Sequence, residues 1–407
     1  MNTNLESKDI DLGFKNTPKD VAEFNIRRKD GKYYDISQDS LVDQGITRLT
    51  DEQFLHLFER FRLRFNLTSQ CNVWCIFCSN EGSAYSTKSQ KSVADIGVIT
   101  KLSDILISET PVQSIEFSGG EPTIHPDFVH RNYQLIDWTK RYPQVKFSIH
   151  SNGVMLTPEV IDQIGGYFFK IGLSIHSVNF ETWNKMTNLK DVFGLEQQRR
   201  KFEQLMQNID YLADRQIGNK VFLKSVVIRD INDSEEELSD FLEFCTQRKF
   251  HPKFFEFEPQ YSEQEKYVVG RQELFDRLER LGCQFSEDTP RDNPDETYIP
   301  SVNFDYKAEQ GTPRGLHSIF GCGDSGACRS CYMNLPVFIK PTEDSRGLYI
   351  KPCSPLDTRF DLTWAIENGD KRQILDIFKM SREYLMLTPG LGINCWNKEE
   401  RYKIDFT

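Results

Sequence analysis

Cys71-Asn72-Val73-Trp74-Cys75-Ile76-Phe77-Cys78 places three thiols within eight residues. The stretch before it, Phe61-Arg62-Leu63-Arg64-Phe65-Asn66-Leu67-Thr68, alternates apolar and polar residues. Alternation of that kind predicts a strand over Leu63–Thr68, so the cysteines fall on the loop leaving its C-terminal end. Three thiolates so close together can face one small object. A structural zinc ion takes four protein ligands, so three leave it incomplete. An iron–sulfur cluster held by three thiolates keeps one iron open for a further ligand. A partial zinc site or a group of buried thiols is the alternative reading of the spacing.

Outward from this loop, a strand–helix alternation runs from Phe61 to about Phe257. Further strands are predicted at Ser114–Ser118, Lys146–His150, Phe168–Ser174, Val221–Ile228 and Lys253–Phe257. Helices are predicted at Val98–Glu109, Pro126–Arg141, Thr157–Gly165, Gln197–Gln216 and Ser234–Lys249, the last capped by Asp233 or Ser234 with glutamates in its first turn. Repeated βα units imply a parallel sheet with helices outside. Six such units predict an α/β fold, an open partial (β/α)6 barrel, with its site on the loops at the C-terminal strand ends. A short helix over Asp51–Phe61 closes a polar N-terminal extension. Asp288–Gly315, rich in Pro, Asp, Asn and Gly, reads as a loop, and Arg271–Leu281 as a helix. The expected organisation is an extension (1–60), a barrel (61–260), a connecting segment (261–320) and a C-terminal cysteine domain with a β-hairpin and a helix at Lys371–Leu387 (321–407).

Ser118-Gly119-Gly120-Glu121-Pro122 follows the second strand. Glycines let a ligand come close to backbone amides, and such a turn supplies donors for a polar or anionic group. Alone it is an ordinary strand-to-helix turn. Placed one βα unit after Cys-x3-Cys-x2-Cys, the pair of motifs resembles the radical S-adenosylmethionine (SAM) superfamily. The resemblance implies a [4Fe–4S] cluster on Cys71, Cys75 and Cys78, with SAM chelated at the open iron. It also implies that Gly119, Gly120, Glu121 and Pro122 hold the amino group of SAM. Phe77 would lie beside the adenine. Ser151 and Asn152 stand in His150-Ser151-Asn152-Gly153, where the family often has Thr-Asn-Gly, and Ser174 stands where a serine touches the SAM ribose. Taken singly, each of these is ordinary strand packing. Lys224 places a cation near the barrel mouth and is a catalytic or substrate-binding candidate, against a solvated charge. His176 reads as a hydrogen-bonded structural histidine or as a proton carrier.

A second group, Cys322-Gly-Asp-Ser-Gly-Ala-Cys328-Arg-Ser-Cys331, is followed by two apolar runs and a returning Cys353. Zinc on four thiolates is one reading. The pattern also resembles the auxiliary-cluster (twitch or SPASM-like) domain of some radical SAM enzymes, which implies a second [4Fe–4S] cluster on Cys328, Cys331, Cys353 and, as a possible fourth ligand, Cys322. The layout over about residues 61–366 is similar to the GTP cyclase family of molybdenum-cofactor synthesis, in which Arg64 and Lys224 match nucleotide-contacting positions. The departures are informative. Glu116 stands where that family has a substrate arginine, and Tyr332-Met333-Asn334-Leu335 replaces an Arg-x-Arg pair. Losing those cations removes charge-assisted contacts to a triphosphate.

The formal charge is −11 and no long basic run occurs, which argues against a nucleic-acid partner. The N-terminus lacks an apolar signal core and no apolar run reaches membrane-spanning length, so a cytoplasmic protein without membrane contact is expected. Ten cysteines, most in two groups, read as metal binding in a reducing compartment, not as disulfides. Cys245, Cys283 and Cys395 read as small buried hydrophobes. The expected activity is reductive SAM cleavage and hydrogen-atom abstraction from a peptide or small natural product, with a flavodoxin or ferredoxin-type electron donor. A nucleotide-modifying relative of the cyclase and a non-enzymatic metal-binding scaffold are the alternatives.

Overall fold

The computed structural model describes residues 25–27, 33–35, 49–59, 61–78, 92–129, 133–188, 193–257, 259, 262–285, 301–307, 315–318, 337–352 and 359–387. In chain order the strands are β1 (Asn25–Arg27), β2 (Tyr33–Asp35), β3 (Arg62–Asn66), β4 (Ser114–Ser118), β5 (Lys146–Ser151), β6 (Lys170–Ser174), β7 (Val221–Val227) and β8 (His251–Glu256). Then follow β9 (Gln284–Phe285), β10 (Ser301–Asp305), β11 (Gly315–Ser318), β12 (Val337–Pro341), β13 (Leu348–Lys351) and β14 (Phe360–Asp361). The helices are α1 (Asp51–Phe58), α2 (Ile96–Glu109), α3 (Pro126–Val129), α4 (Gln134–Thr139), α5 (Pro158–Gly165), α6 (Phe180–Thr187), α7 (Leu195–Asp214), α8 (Glu235–Arg248), α9 (Arg271–Arg280), α10 (Thr363–Asn368) and α11 (Lys371–Leu387). No described helix is long and apolar enough to cross a membrane.

The chain forms two compact units. The first comprises Met1–Phe65, Ala94–Gln113 and Gly321–Asn397. Within it β12 runs parallel to β3, and β13 and β14 add to β12 antiparallel. The β12–β13 hairpin matches the two apolar runs read between Cys331 and Cys353. Phe58 packs edge-on against Phe61 and tilts toward Phe378, which ties α1 to α11. Thr50 and Gln53 form a reciprocal capping box that starts α1.

The second unit comprises Asn66–Val93, Ser114–Phe320 and Lys398–Thr407. Its sheet has the order β4-β5-β6-β7-β8-β11-β10-β9. The first six strands are parallel, and β10 and β9 close the far edge antiparallel. Alternation sorts the side chains of each strand to opposite faces. Ile115, Phe117, Phe147, Ile149, Ile171, Leu173 and Leu223 are buried on one face. Glu116, His150, Gly172, Ser174 and Lys224 occupy the alternate positions, so the other face is polar.

The mixed α/β class with a large, mostly parallel sheet is as expected. Three local expectations are corrected. Pro126–Arg141 is not one helix: α4 begins after Tyr133, whose left-handed backbone (φ 55°) breaks the run. Asp288–Gly315 is not wholly loop, because Ser301–Asp305 pairs with β11 and β9. And α6 was not anticipated, although Asn179 caps it by accepting from the Glu181 and Thr182 N–H groups. Ser234, not Asp233, caps α8, accepting from Glu237 N–H, and three glutamates fill its first turn where they favour the helix dipole.

Candidate active site

The cysteine loop belongs to the second unit and is held on three sides. Below it, Ile76 joins Met186, Ile228 and Phe257 in an apolar cluster, with Trp74 and Phe77 packed against it. Behind it, Trp74 N–H donates to Thr187 O (2.8 Å) and Ile76 N–H to Met186 O (3.0 Å). These are carbonyls at the C-terminal end of α6, where a helix leaves its last acceptors unmet. Beside it runs the diglycine turn. Leu67 N–H donates to Ser118 O (2.8 Å), Gly120 N–H to Thr68 O (2.7 Å) and Glu121 N–H to Gln70 O (2.7 Å).

The closeness of that last approach explains the glycines. Gly119 has φ +136°, and a Cβ there meets Thr68 O at 2.5 Å. A Cβ on Gly120 meets Gln70 O at 1.9 Å. No side chain fits against a backbone carbonyl at that range. The sequence reading expected the turn to offer its amides to a ligand. Those of Gly120 and Glu121 are instead donated to the cysteine strand-loop, so the turn's close packing serves the thiol loop first.

Glu121 is wholly buried and accepts four hydrogen bonds. Oε1 accepts from Thr123 N–H (3.0 Å), Thr123 Oγ1 (2.6 Å) and Ser151 Oγ (2.8 Å), and Oε2 from Asn152 N–H (2.6 Å). Burial pushes its carboxyl above the ordinary range, while the four donors oppose that shift. A set made only of donors suits the ionised carboxylate. Asn152 carries the connection onward: its Nδ2 donates to Asn72 Oδ1 (2.6 Å) and to Cys71 Sγ (3.7 Å). Ser151 and Asn152 therefore lock the end of β5 to the diglycine turn and the first cysteine.

Cys71, Cys75 and Cys78 are free thiols of intermediate exposure. Burial, then the charge of Glu121, pushes Cys71 up to about 12. Burial, then Cys71 and Cys78, pushes Cys75 well above the usual thiol range. Without a bound cationic centre Cys71 and Cys75 therefore keep their protons, and such a centre is what stabilises their thiolates. Three thiols on one loop, with a side-chain N–H on Cys71, are in kind the donor set of a [4Fe–4S] cluster with three protein ligands, although among the described residues no three such side chains are gathered closely enough to hold a metal ion.

Phe77 meets the His176 ring edge-on, with centroids 4.4 Å apart. His176 has a left-handed backbone (φ 64°) and its Nδ1 accepts from Val226 N–H (3.2 Å). The proton of the neutral ring therefore sits on Nε2. Burial, with the Lys224 cation adding, lowers its pKa to about 3. A ring so held is structural and does not carry protons near neutral pH.

On the polar face, Lys224 Nζ bonds His150 Nδ1, and His150 Nε2 lies 3.2 Å from Glu116 Oε2. Lysine donates, so His150 accepts at Nδ1 and donates at Nε2 to the carboxylate. Glu116, His150 and Lys224 thus form one line across four strands, passing over Gly172. A Cβ on Gly172 lies within 2.7 Å of Lys224 Nζ and 2.8 Å of His150 Nδ1. Lys253 is the register neighbour of Lys224 on β8. Sequence reasoning singled out Lys224 and Glu116 separately and missed His150 as their bridge; its position two residues before Asn152 on a predicted strand was the available signal. Ser174, at the end of β6, is the register neighbour of Lys224, and its hydroxyl has no hydrogen-bond partner among the described residues.

Arg64 lies in the first unit, its guanidinium 5.4 Å from the centre of the Phe338 ring. Cys245 and Cys283 are buried, as expected for small hydrophobes. Cys322, Cys328, Cys331, Cys353 and Cys395 lie outside the described residues.

A cysteine loop leaving a parallel sheet, zipped to a diglycine turn, defines a class. Residues 65–242 match the family model of the Radical SAM superfamily. Those residues form a Radical SAM domain, and the chain is an enzyme of the radical SAM type. It is 27% identical over 277 residues to a GTP 3′,8-cyclase of Haemophilus influenzae (strain PittGG), covering 66% of this chain and 73% of that one. It is 24% identical over 346 residues to a probable GTP 3′,8-cyclase of Thermococcus kodakarensis, covering 82% and 99%. Its fold resembles the solved structure of native anSMEcpe with bound AdoMet, with a TM-score of 0.51 at 15% identity over 77% of this chain and 80% of that chain.

Proposed function

We propose that the chain cleaves SAM reductively and takes a hydrogen atom from a peptide or small natural product. The observation that carries this reading is the continuous link from the diglycine turn through Glu121 and Asn152 to Cys71. It ties the first thiol of the loop to a close-packed turn. Cys71, Cys75 and Cys78 would hold the cluster, which when bound would supply the electron for splitting the sulfonium of SAM into methionine and a 5′-deoxyadenosyl radical. With the amides of Gly120 and Glu121 engaged, the turn meets the SAM ammonium through acceptors, as a cation requires. Trp74, Ile76 and Phe77 close the floor of the loop with apolar surface and exclude water from the radical. Ser174 is proposed to meet a ribose hydroxyl. Lys224, fixed by His150 and Gly172, is the substrate-side cation.

The Glu116–His150–Lys224 line favours a substrate other than a nucleoside triphosphate. A buried carboxylate on the polar face repels a polyanion and offsets the lysine charge. A nucleotide substrate is the second reading, favoured by the cyclase relatives and by Lys224 beside Lys253. Cys328, Cys331, Cys353 and Cys322 are proposed to hold a second cluster on the strength of their spacing and of the β12–β13 hairpin between them. A flavodoxin or ferredoxin-type protein is proposed as electron donor.

Anaerobically reconstituted protein given SAM and dithionite should form 5′-deoxyadenosine, and Cys75→Ala should form none above background. Equal yields from the two would overturn the proposal. Calorimetry with GTP and with candidate peptides separates the two substrate readings.

A further inference from the structure

Lys201 lies on α7 and serves none of the roles described so far. Its Nζ donates to the carbonyl of Asn72 (2.7 Å), the residue after Cys71. The ammonium also sits 3.2 Å from the centre of the Phe193 ring. No carboxylate pairs with it among the described residues, and a thiolate at Cys71 would favour its charged form against the cost of burial. A half-buried cation without an acid is costly, because desolvation is not repaid by a counter-ion. Aromatic faces offset only part of that cost. The side chain therefore reaches the cysteine loop without an acidic partner among the described residues.

Asn72 is gripped twice. Lys201 holds its backbone carbonyl, and Asn152 holds its side chain while also touching Cys71 Sγ. A thiolate-ligated cluster on the same loop would supply an anion here. We propose that Lys201 is a positioning residue for the Cys71 loop and the fixed cation that raises the reduction potential of the cluster on Cys71, Cys75 and Cys78. The inference rests on those three cysteines carrying the cluster. On reduction the cluster gains one negative charge, so a nearby cation stabilises the reduced form more than the oxidised one. Removing the cation makes the cluster harder to reduce.

Wild type, Lys201→Arg, Lys201→Gln and Lys201→Met would be reconstituted anaerobically without SAM. Iron and sulfide would be counted, and the reduced cluster followed by electron paramagnetic resonance through a redox titration. Lys201→Arg keeps charge and donor and should titrate as wild type. Lys201→Gln keeps a donor for Asn72 without the charge. It should load iron fully, yet show about a tenfold lower ratio of reduced to oxidised cluster at a given potential, or about 59 mV for one electron. Lys201→Met should show the same shift and also lose iron faster to a chelator. Loaded Gln and Met variants with the wild-type midpoint would overturn the role of Lys201 alone. If Met does not load, Gln against Arg decides. Wild type that takes up no iron would remove the cluster assignment and this inference with it.

Discussion

His176 and Glu121 face opposite demands within one site. Glu121 is a buried acid surrounded by donors, which is how a charge is kept inside a protein. His176 is a buried base whose one acceptor nitrogen is already taken by Val226 N–H. The folded chain therefore resists protonating His176, with a consequence for pH. Its folded pKa of about 3 lies below the ordinary 6.5, so between those values the unfolded chain binds a proton that the native chain refuses. Stability from this residue is fully present above pH 6.5 and falls as the pH drops toward 3, by an amount on the order of 5 kcal/mol. Urea midpoints of the metal-free protein should decline more steeply below pH 6.5 in wild type than in His176→Asn, which tolerates the left-handed backbone. Coincident slopes would mean that the ring is not buried in its neutral form. The identities of the cysteines and of the diglycine turn were legible from spacing alone. The actual work of Ser151, Asn152 and His150 was not, because a strand sequence gives the face on which a side chain lies but not its partner on the next strand.

At the level of elements, α6 is the piece whose absence from the sequence reading matters most. Phe180–Thr187 is short and polar, so its periodicity is weak, and only Asn179 followed by Glu181 marked its start. Yet its last two carbonyls, Met186 O and Thr187 O, hold the cysteine loop. Asn179→Ala removes the acceptor for two first-turn amides and should cost about 1 kcal/mol. Because the far end of the helix supports Trp74 and Ile76, the variant should also release iron to a chelator faster than wild type. Unchanged release would show that the loop does not depend on α6. Strands were more legible than helices here, since Ser114–Ser118 and Lys146–Ser151 alternate cleanly. Ser301–Asp305 was hidden because it sits among turn formers, and pairing with β11 and β9 overrides that local composition.

For the whole molecule, the two cysteine groups predict two inorganic centres of equal kind. Protein reconstituted without oxygen should hold about eight irons and about eight sulfides per chain. About four of each with one zinc would assign the second group to zinc instead. The class of fold followed from the order of strands and helices, which local pattern specifies. Its division into units did not follow, because Ala94–Gln113 lies between two segments of the sheet unit and yet clusters with residues from both ends of the chain. Such contacts join residues hundreds of positions apart, as between Lys371 and Glu109 (2.6 Å) and between Lys379 and Asp51 (2.6 Å). Nothing in a window of sequence carries that information.

The amides of Trp74 and Ile76 are spent on carbonyls of α6, so this part of the cysteine loop takes its hold from the protein's own backbone. Deuterium should enter those two positions slowly with or without metal, and fast exchange in metal-stripped protein would show that the loop owes its shape to the metal.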